Sequence, residues 1–333
     1  METRKVQFTG NSTFTLSLPR EWVNRMGIKK GDLLGLMQEG NGRIVITPAL
    51  NEKKLSMERT ITINREQPAH VLRMLIGAYV MGFDTITVKG RDKLDLQIKD
   101  VVRQFTRSVT GVEIVEDTGN SVSVKDLSDI SELSQEKATR RLYLIGRSMH
   151  VDVMTALLTD DRTLAADVVG RDTDADRIYW LIMKEHNMLS RNPAASEKLG
   201  VTPDESSAFF QISRYLERIA DHAVQIAHSA LSISGHSHHK EVLSKLKSAH
   251  EYAVSMLDDA ISSFFRRSAL DANRVIDRRE TLGEMLRPIS SAIRKIDSDD
   301  AIHIALIEES VRRVGYYSTD IGEVAINYCM LIQ

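Results

Sequence analysis

A helical seam that occurs twice constrains this chain more than any other feature. Ile212, Leu216, Ile219, Ala223, Ile226 and Ala230 alternate steps of four and three, the spacing of one face of a helix packed into a bundle. The stretch ISRYLERIADHAVQIAHSAL, 212–231, aligns without gaps to IEESVRRVGYYSTDIGEVAI, 307–326. Ile212, Ile219 and Ile226 fall on Ile307, Val314 and Ile321, so both copies keep the seam. A chain of 333 residues has room for two or three domains, and its helical part reads as an internal duplication.

The first copy carries charge where the second does not. Glu217 and Asp221 lie one helical turn apart, and RDTDADRIYWLI holds Asp172 and Asp176 at the same spacing. Like charges so placed cost stability unless a cation lies between or opposite them. Four carboxylates from two helices would make an oxygen-rich cation site. The same spacing also fits two solvated acidic faces, with Arg218 paired to a neighbour.

LERIADHAVQIA resembles the signature helix of the PhoU family of phosphate-signalling proteins, and RDTDADRIY resembles that family's companion acidic motif. The resemblance covers roughly residues 132–333. It implies tandem three-helix bundles, over 132–233 and 240–333. It places Asp172, Asp176, Glu217 and Asp221 on the family's metal-ligand positions, with iron or zinc as the implied metal and magnesium or manganese as alternatives. In the second copy Glu217 falls on Arg312, Asp221 on Tyr316, Asp172 on Arg279 and Asp176 on Gly283. A one-residue shift of the upstream match gives Arg278 and Leu282. One cation site per chain is therefore expected, in the first bundle. Arg278, Arg279, Arg312 and Arg313 either meet an anion such as phosphate or pair with Asp277, Glu280, Glu309 and Asp320; pairing is the stronger expectation.

Residues 1–48 have a different texture. RKVQFTG and NSTFTLSLP read as strands, REWVNRMGI as a short helix, and KKGDLLGLMQEG and RIVITP as strands around glycine turns. So short a unit buries little core alone, and two-fold pairing is the common solution. The segment resembles a SpoVT/AbrB domain through KVQFTGNSTFTLSLPREWV, GIKKGDLLGL and GRIVITP. That resemblance implies a swapped-hairpin β-barrel homodimer, either DNA-binding or purely dimerising. Arg4, Lys5, Arg20, Arg25, Lys29 and Lys30 are the cations available for DNA phosphates.

After a polar linker, 49–58, residues 59–128 read β-α-β-α-β-β, a small α/β module. Its only loop of interest, VKGRDK, lacks the Gly-Lys-Ser/Thr of a phosphate loop. The expected architecture is thus multidomain and mainly α: an N-terminal barrel, an α/β module and the tandem bundles. Formal net charge is −2, so nucleic-acid contacts must come from local patches. The single cysteine, Cys329, excludes an intrachain disulfide framework and suits a reducing cytosol. METRKVQ has no apolar signal core. VLRMLIGAYVMGF is too short to span a bilayer and is interrupted by Arg73. A cytoplasmic protein is expected, touching a membrane only through partners.

Four further features are weighed. His236, His238 and His239 in SGHSHHK read as a solvated loop rather than a metal site. His222 points about 100° away from Asp221 around the helix and is expected to be a hydrogen-bonded interfacial histidine. Tyr179 and Trp180 are expected in a core or interface. Residues 187–205 make a longer connection than the second half has, and suggest a regulatory surface or lid near the acids.

Two functions follow from the resemblances. One is a DNA-binding transcriptional regulator of phosphate homeostasis whose bundle senses phosphate status through a cation or a transporter contact. The other is an adaptor that docks on the phosphate transporter ATPase or a signalling protein, with the barrel only dimerising. Catalysis is not expected: the Glu-x-x-His of di-iron bundles is missing and no nucleophile–base pair stands out.

Overall fold

The computed structural model describes residues 2–10, 13–38, 42–47, 57–128, 134–191, 195–233, 239–296 and 299–331. These form two compact units, one up to residue 56 and one from residue 57 onward.

In the N-terminal unit, β1 (Gln7–Thr9) pairs antiparallel with β2 (Thr13–Thr15), and Phe8 faces Phe14 with ring centroids 5.2 Å apart. Pro19 leads into α1 (Arg20–Arg25), which ends towards Gly27 at φ +67°. β3 (Gly35–Gln38) pairs antiparallel with β4 (Ile44–Thr47). None of the described residues in this unit is buried. Phe14 is 73% exposed and Leu33 76%, and Val6, Phe8, Leu36 and Ile44 are open too. Exposed apolar side chains in this number make a surface that gains from burial against another surface.

The second unit opens with the α/β module. Its strands are β5 (Glu58–Ile63), β6 (Thr85–Gly90), β7 (Val112–Asp117) and β8 (Ser121–Asp126), and its helices are α2 (Pro68–Val80) and α3 (Leu96–Ser108). The sheet order is β5-β6-β8-β7, parallel between β5 and β6 and antiparallel elsewhere. Pro68 at the first turn of α2 fixes the helix start, where its missing N–H costs nothing. Val71, Leu75, Tyr79, Val88, Val102 and Phe105 build the module's core. The expected polar linker overlaps residues outside the described set, save Met57 and Glu58, and Glu58 begins β5.

Six long helices follow: α4 (Gln135–Thr159), α5 (Arg162–Arg191), α7 (Pro203–Ser232), α8 (Lys240–Arg266), α9 (Ala269–Ile293) and α10 (Asp300–Met330); the short α6 (Ala195–Leu199) lies between α5 and α7. α4, α5 and α7 pack as one three-helix bundle and α8, α9 and α10 as another. The repeat-equivalent helices α7 and α10 also pack on each other. Every seam residue of α7, from Ile212 to Ala230, is buried, as are Ile307, Val314 and Ile321; each isoleucine, leucine or valine among them contributes about 1.5–3 kcal/mol. Thr202 and Glu205 cap α7 reciprocally.

The connection over 187–205 is not a lid. Asn187–Arg191 continue α5, α6 occupies 195–199, and α7 begins at Pro203. At 1.5 Å per residue, the end of α5 stands about 28 Å along the axis from Asp172. The helical periodicity simply runs on through NMLSR.

α5 belongs to both cores: Trp180 packs against the module's cluster and the bundle's. Beyond it Asn187 Nδ2 donates to the Val80 carbonyl at 2.8 Å, and the fully buried Lys184 meets Asp126. Beside Lys184 lies Glu185, 1% exposed. Burial pushes its carboxyl up to about 8, against the pull of Lys184. The folded chain thus holds this proton while the unfolded chain, near 4.5, releases it. The stabilisation is complete below about pH 4.5 and is lost as pH rises through about 8. Glu185→Gln is expected to flatten the decline in unfolding free energy between those values, measured by urea titration at half-unit pH steps.

A facing carboxylate site on the first bundle

Asp172 and Asp176 project from the first half of α5, and Glu217 and Asp221 from α7 packed against it. Asp172, Asp176 and Glu217 are half-buried and Asp221 is exposed. Burial, then Asp172 and Asp221, push the Asp176 carboxyl up to about 7. Burial, then Asp221, do the same to Glu217, to about 7, although Arg218 opposes the shift. Asp172 is raised by burial, and Asp221 by burial and by Asp172. The fold thus brings all four sequence-predicted residues onto one face, within reach of each other's charge.

Among the described residues, none of Asp172, Asp176 and Asp221 has a lysine or arginine at ion-pair distance; Glu217 has only its neighbour Arg218, at 3.6 Å. An all-oxygen donor set under mutual repulsion suits a divalent cation chemically. The side chains face one another without forming a closed shell: among the described residues no three His, Cys, Asp or Glu groups converge to hold a metal.

The second bundle shows what the duplication did with these positions. The Arg279 guanidinium, at the place of Asp172, stacks on the ring of Tyr316, at the place of Asp221, 4.1 Å from its centroid. A cation–π contact stands where the first bundle has two acids. This supports the register Asp172 to Arg279 over the one-residue shift. The other arginines are paired: Arg278 with Asp259, Arg312 with Glu308 at 2.7 Å and Glu309 at 3.5 Å, and Arg313 with Glu309 at 2.7 Å. Of the partners foreseen, Glu309 is the one that forms such a pair among the described residues, while the Asp320 carboxyl is raised by burial and then by Glu323, with Arg279 opposing.

Three neighbours escaped the sequence reading. His228 lies close enough to Asp172 to oppose part of the rise that burial imposes on that carboxyl; its position seven residues beyond Asp221 was the available signal. His150 and His250, from α4 and α8, are buried beneath α7. His150 Nε2 donates to the Ile219 carbonyl at 2.8 Å, so its Nδ1 accepts from His250 Nε2, 3.1 Å away. Burial holds both imidazoles neutral, His150 at about 4. The pair ties the two bundles to the turn between Glu217 and Asp221.

The remaining candidates are placed as follows. His222 Nδ1 lies 3.2 Å from Ser310 Oγ, between α7 and α10, as the interfacial reading required. Tyr179 is buried. His239 bonds Asp300 at 3.1 Å, while His236 and His238 lie outside the described residues. In the N-terminal unit Lys5, Arg20, Arg25, Lys29 and Lys30 are exposed with no acidic partner among the described residues; Arg4 pairs with Glu2. No helix of the described residues is long and apolar enough to cross a membrane.

Comparison with known proteins bears on the family and the fold. Residues 7–54 match the family described as antidote-toxin recognition MazE, bacterial antitoxin. A curated relative from Clostridium acetobutylicum, described as a phosphate-specific transport system accessory protein PhoU homolog, is 25% identical over 61% of this chain and 90% of its own length. The crystal structure of the phosphate transport system regulatory protein PhoU from Streptococcus pneumoniae has a TM-score of 0.51 at 18% identity, covering 58% of this chain and 92% of that one. PhoU from Pseudomonas aeruginosa gives 0.48 at 20% identity, over 58% and 94%. The PhoU domain family itself matches residues 139–230 and 246–325, over half of the chain and one match per bundle, so this protein belongs to the PhoU family.

Proposed function

We propose that this protein is a regulator of phosphate homeostasis that dimerises and binds DNA through its N-terminal unit and holds a divalent cation between α5 and α7. The observation that carries the cation reading is the set of four facing carboxyls on α5 and α7, two of which, Asp176 and Glu217, are pushed up to about 7 by burial first and then by neighbouring acids. Asp172, Asp176, Glu217 and Asp221 would be its ligands, and a bound cation would supply charge neutralisation rather than a reaction step. α5 carries two of those ligands, and Arg177, next to Asp176, donates to the Arg107 carbonyl of the module at 2.6 Å. A change at the acids is thereby passed to the α/β module as a coupling free energy.

Relief of repulsion sets the sign of the test. Glu217→Ala/Asp221→Ala is expected to raise the melting temperature of metal-free protein above pH 7. It is also expected to abolish any rise caused by added iron, zinc, magnesium or manganese. Elemental analysis of untagged wild type beside this variant is the control. Wild type that purifies metal-free and melts unchanged with each of these ions would show the acids to be a protein-docking face.

The N-terminal unit supports the DNA reading through Lys5, Arg20, Arg25, Lys29 and Lys30, which have no acidic partner among the described residues, and the homodimer through its exposed apolar side chains. Removing Arg20 and Lys29 together is expected to weaken operator binding and to lower the slope of log affinity against log salt by about 2 for each protomer in contact, about 4 for the dimer. Binding that is absent, or indifferent to salt, favours the adaptor. One observation favours that second reading: Leu144, Val151 and Leu158 are exposed at seven-residue spacing along α4, at 59%, 46% and 38%. Such a stripe fits the apolar face of a partner's helix.

A further inference from the structure

We propose that β5 is a second self-association edge, pairing antiparallel with β5 of another copy to make one eight-stranded sheet. Among the described residues the module's sheet ends in two edge strands, β5 and β7, and they are treated differently. β7 has a register break between Ile114 and Glu116 and carries Glu113, Glu116 and Asp117. Bulges and charges are how sheets discourage edge pairing. β5 has neither a break nor a proline and keeps continuous register with β6 from Glu58 to Ile63. Its sequence, ERTITI, is β-branched at four of six positions.

Beside that edge runs a groove of about 460 Å³ lined by Arg59, Ile61, Met74, Gly77, Ala78 and Phe83. Gly77 sits inside α2, where glycine weakens a helix. Among the described residues, a Cβ there would meet nothing beyond its own helix within 4 Å. The glycine is therefore not required by the chain's own packing, and it leaves room for a second backbone to approach.

Pairing rules select the occupant and the register. Opposed residues in an antiparallel pair lie on the same face. A two-fold axis at Ile61 sets Ile61 against the partner's Ile61 on the helix face. On the other face, exposed Thr60 meets the partner's Thr62. Arg59 then lies opposite the partner's Ile63 and Glu58 opposite the partner's Asn64, so no like charges oppose. An axis at Thr62 would set Arg59 directly against the partner's Arg65, and one at Thr60 would set Ile61 against the partner's Arg59 instead of its Ile61. The N-terminal homodimer proposed above supplies the second copy. Residues 48–57 join that unit to β5, so two chains held there present two β5 edges at high effective concentration. The inference rests on that reading for its encounter.

The test uses full-length chains and hydrogen–deuterium exchange. Thr60→Lys/Thr62→Lys opposes lysine with lysine across the axis, and Thr60→Glu/Thr62→Glu opposes glutamate with glutamate. Both substitutions fall on exposed positions. Either variant alone is expected to exchange its 58–63 amides at least tenfold faster than wild type, with unchanged far-UV circular dichroism. Co-expression of the two is expected to restore the protection. Wild-type rates in the variants would overturn the proposal, as would failure of the mixed pair to recover. Amides 7–15 report the N-terminal dimer separately: protection there with no effect at 58–63 sinks only the β5 contact. Wild type that sediments as a monomer with both regions unprotected sinks both.

Discussion

Asp126→Ala is expected to remove about 3–5 kcal/mol of unfolding free energy. Lys184, 1% exposed, reaches Asp126 from α5, with Ser128 Oγ 3.2 Å from its Nζ and the Tyr79 ring 4.8 Å away. Removing the carboxylate leaves an ammonium that is buried and no longer paired with its carboxylate. The aromatic face and one hydroxyl do not replace a full charge. Lys184→Met/Asp126→Leu is expected to cost much less, because no charge then remains inside. Urea unfolding at pH 7 checks both; a single-variant loss under about 1 kcal/mol would show that water reaches Lys184.

Gly111→Ala is the second large effect, at about 2–4 kcal/mol. Gly111 has φ +77°, a left-handed conformation that alanine adopts reluctantly. A Cβ there would lie 2.4 Å from Ser128 Cβ and 3.0 and 3.1 Å from the Ser128 backbone. That backbone is held: Leu127 N donates to the Gly111 carbonyl at 2.7 Å, and Ser128 N donates to Asp126. Relief of the clash therefore disturbs the corner that presents Asp126 to Lys184. Gly200→Ala is the control. It shares the positive φ, at +63°, but has nothing within 4 Å of the added atom, so it should cost only about 1–2 kcal/mol.

Local pattern made most of the architecture readable. Ile212 to Ala230 announced a buried helix face because the seam repeats within one element, and the strands of the module followed from period-two runs such as RTITIN. The duplication was readable because Ile307, Val314 and Ile321 preserve the spacing even where the chemistry changed. The acids share a face because spacing of four fixes it on each helix and the companion helix packs on it. What lay hidden depends on partners far apart in sequence. Lys184 and Asp126 are 58 residues apart, and His150 and His250 are 100 apart. No periodicity marks either pair, and both are buried polar groups that only a finished fold can satisfy. The misread connection over 187–205 had a different cause: its prolines drew attention, while the helix-forming run before them continued α5 by more than a turn.

One consequence of α5 bears on how the gene can be cut. Because Trp180, Lys184 and Asn187 are shared with the α/β module, a fragment beginning at residue 134 would carry a naked apolar flank and an orphaned ammonium. The bundles of this chain are thus not a detachable cassette. Excising them to mimic a shorter relative should yield an insoluble product, whereas trimming ahead of residue 57 respects the natural seam of the molecule.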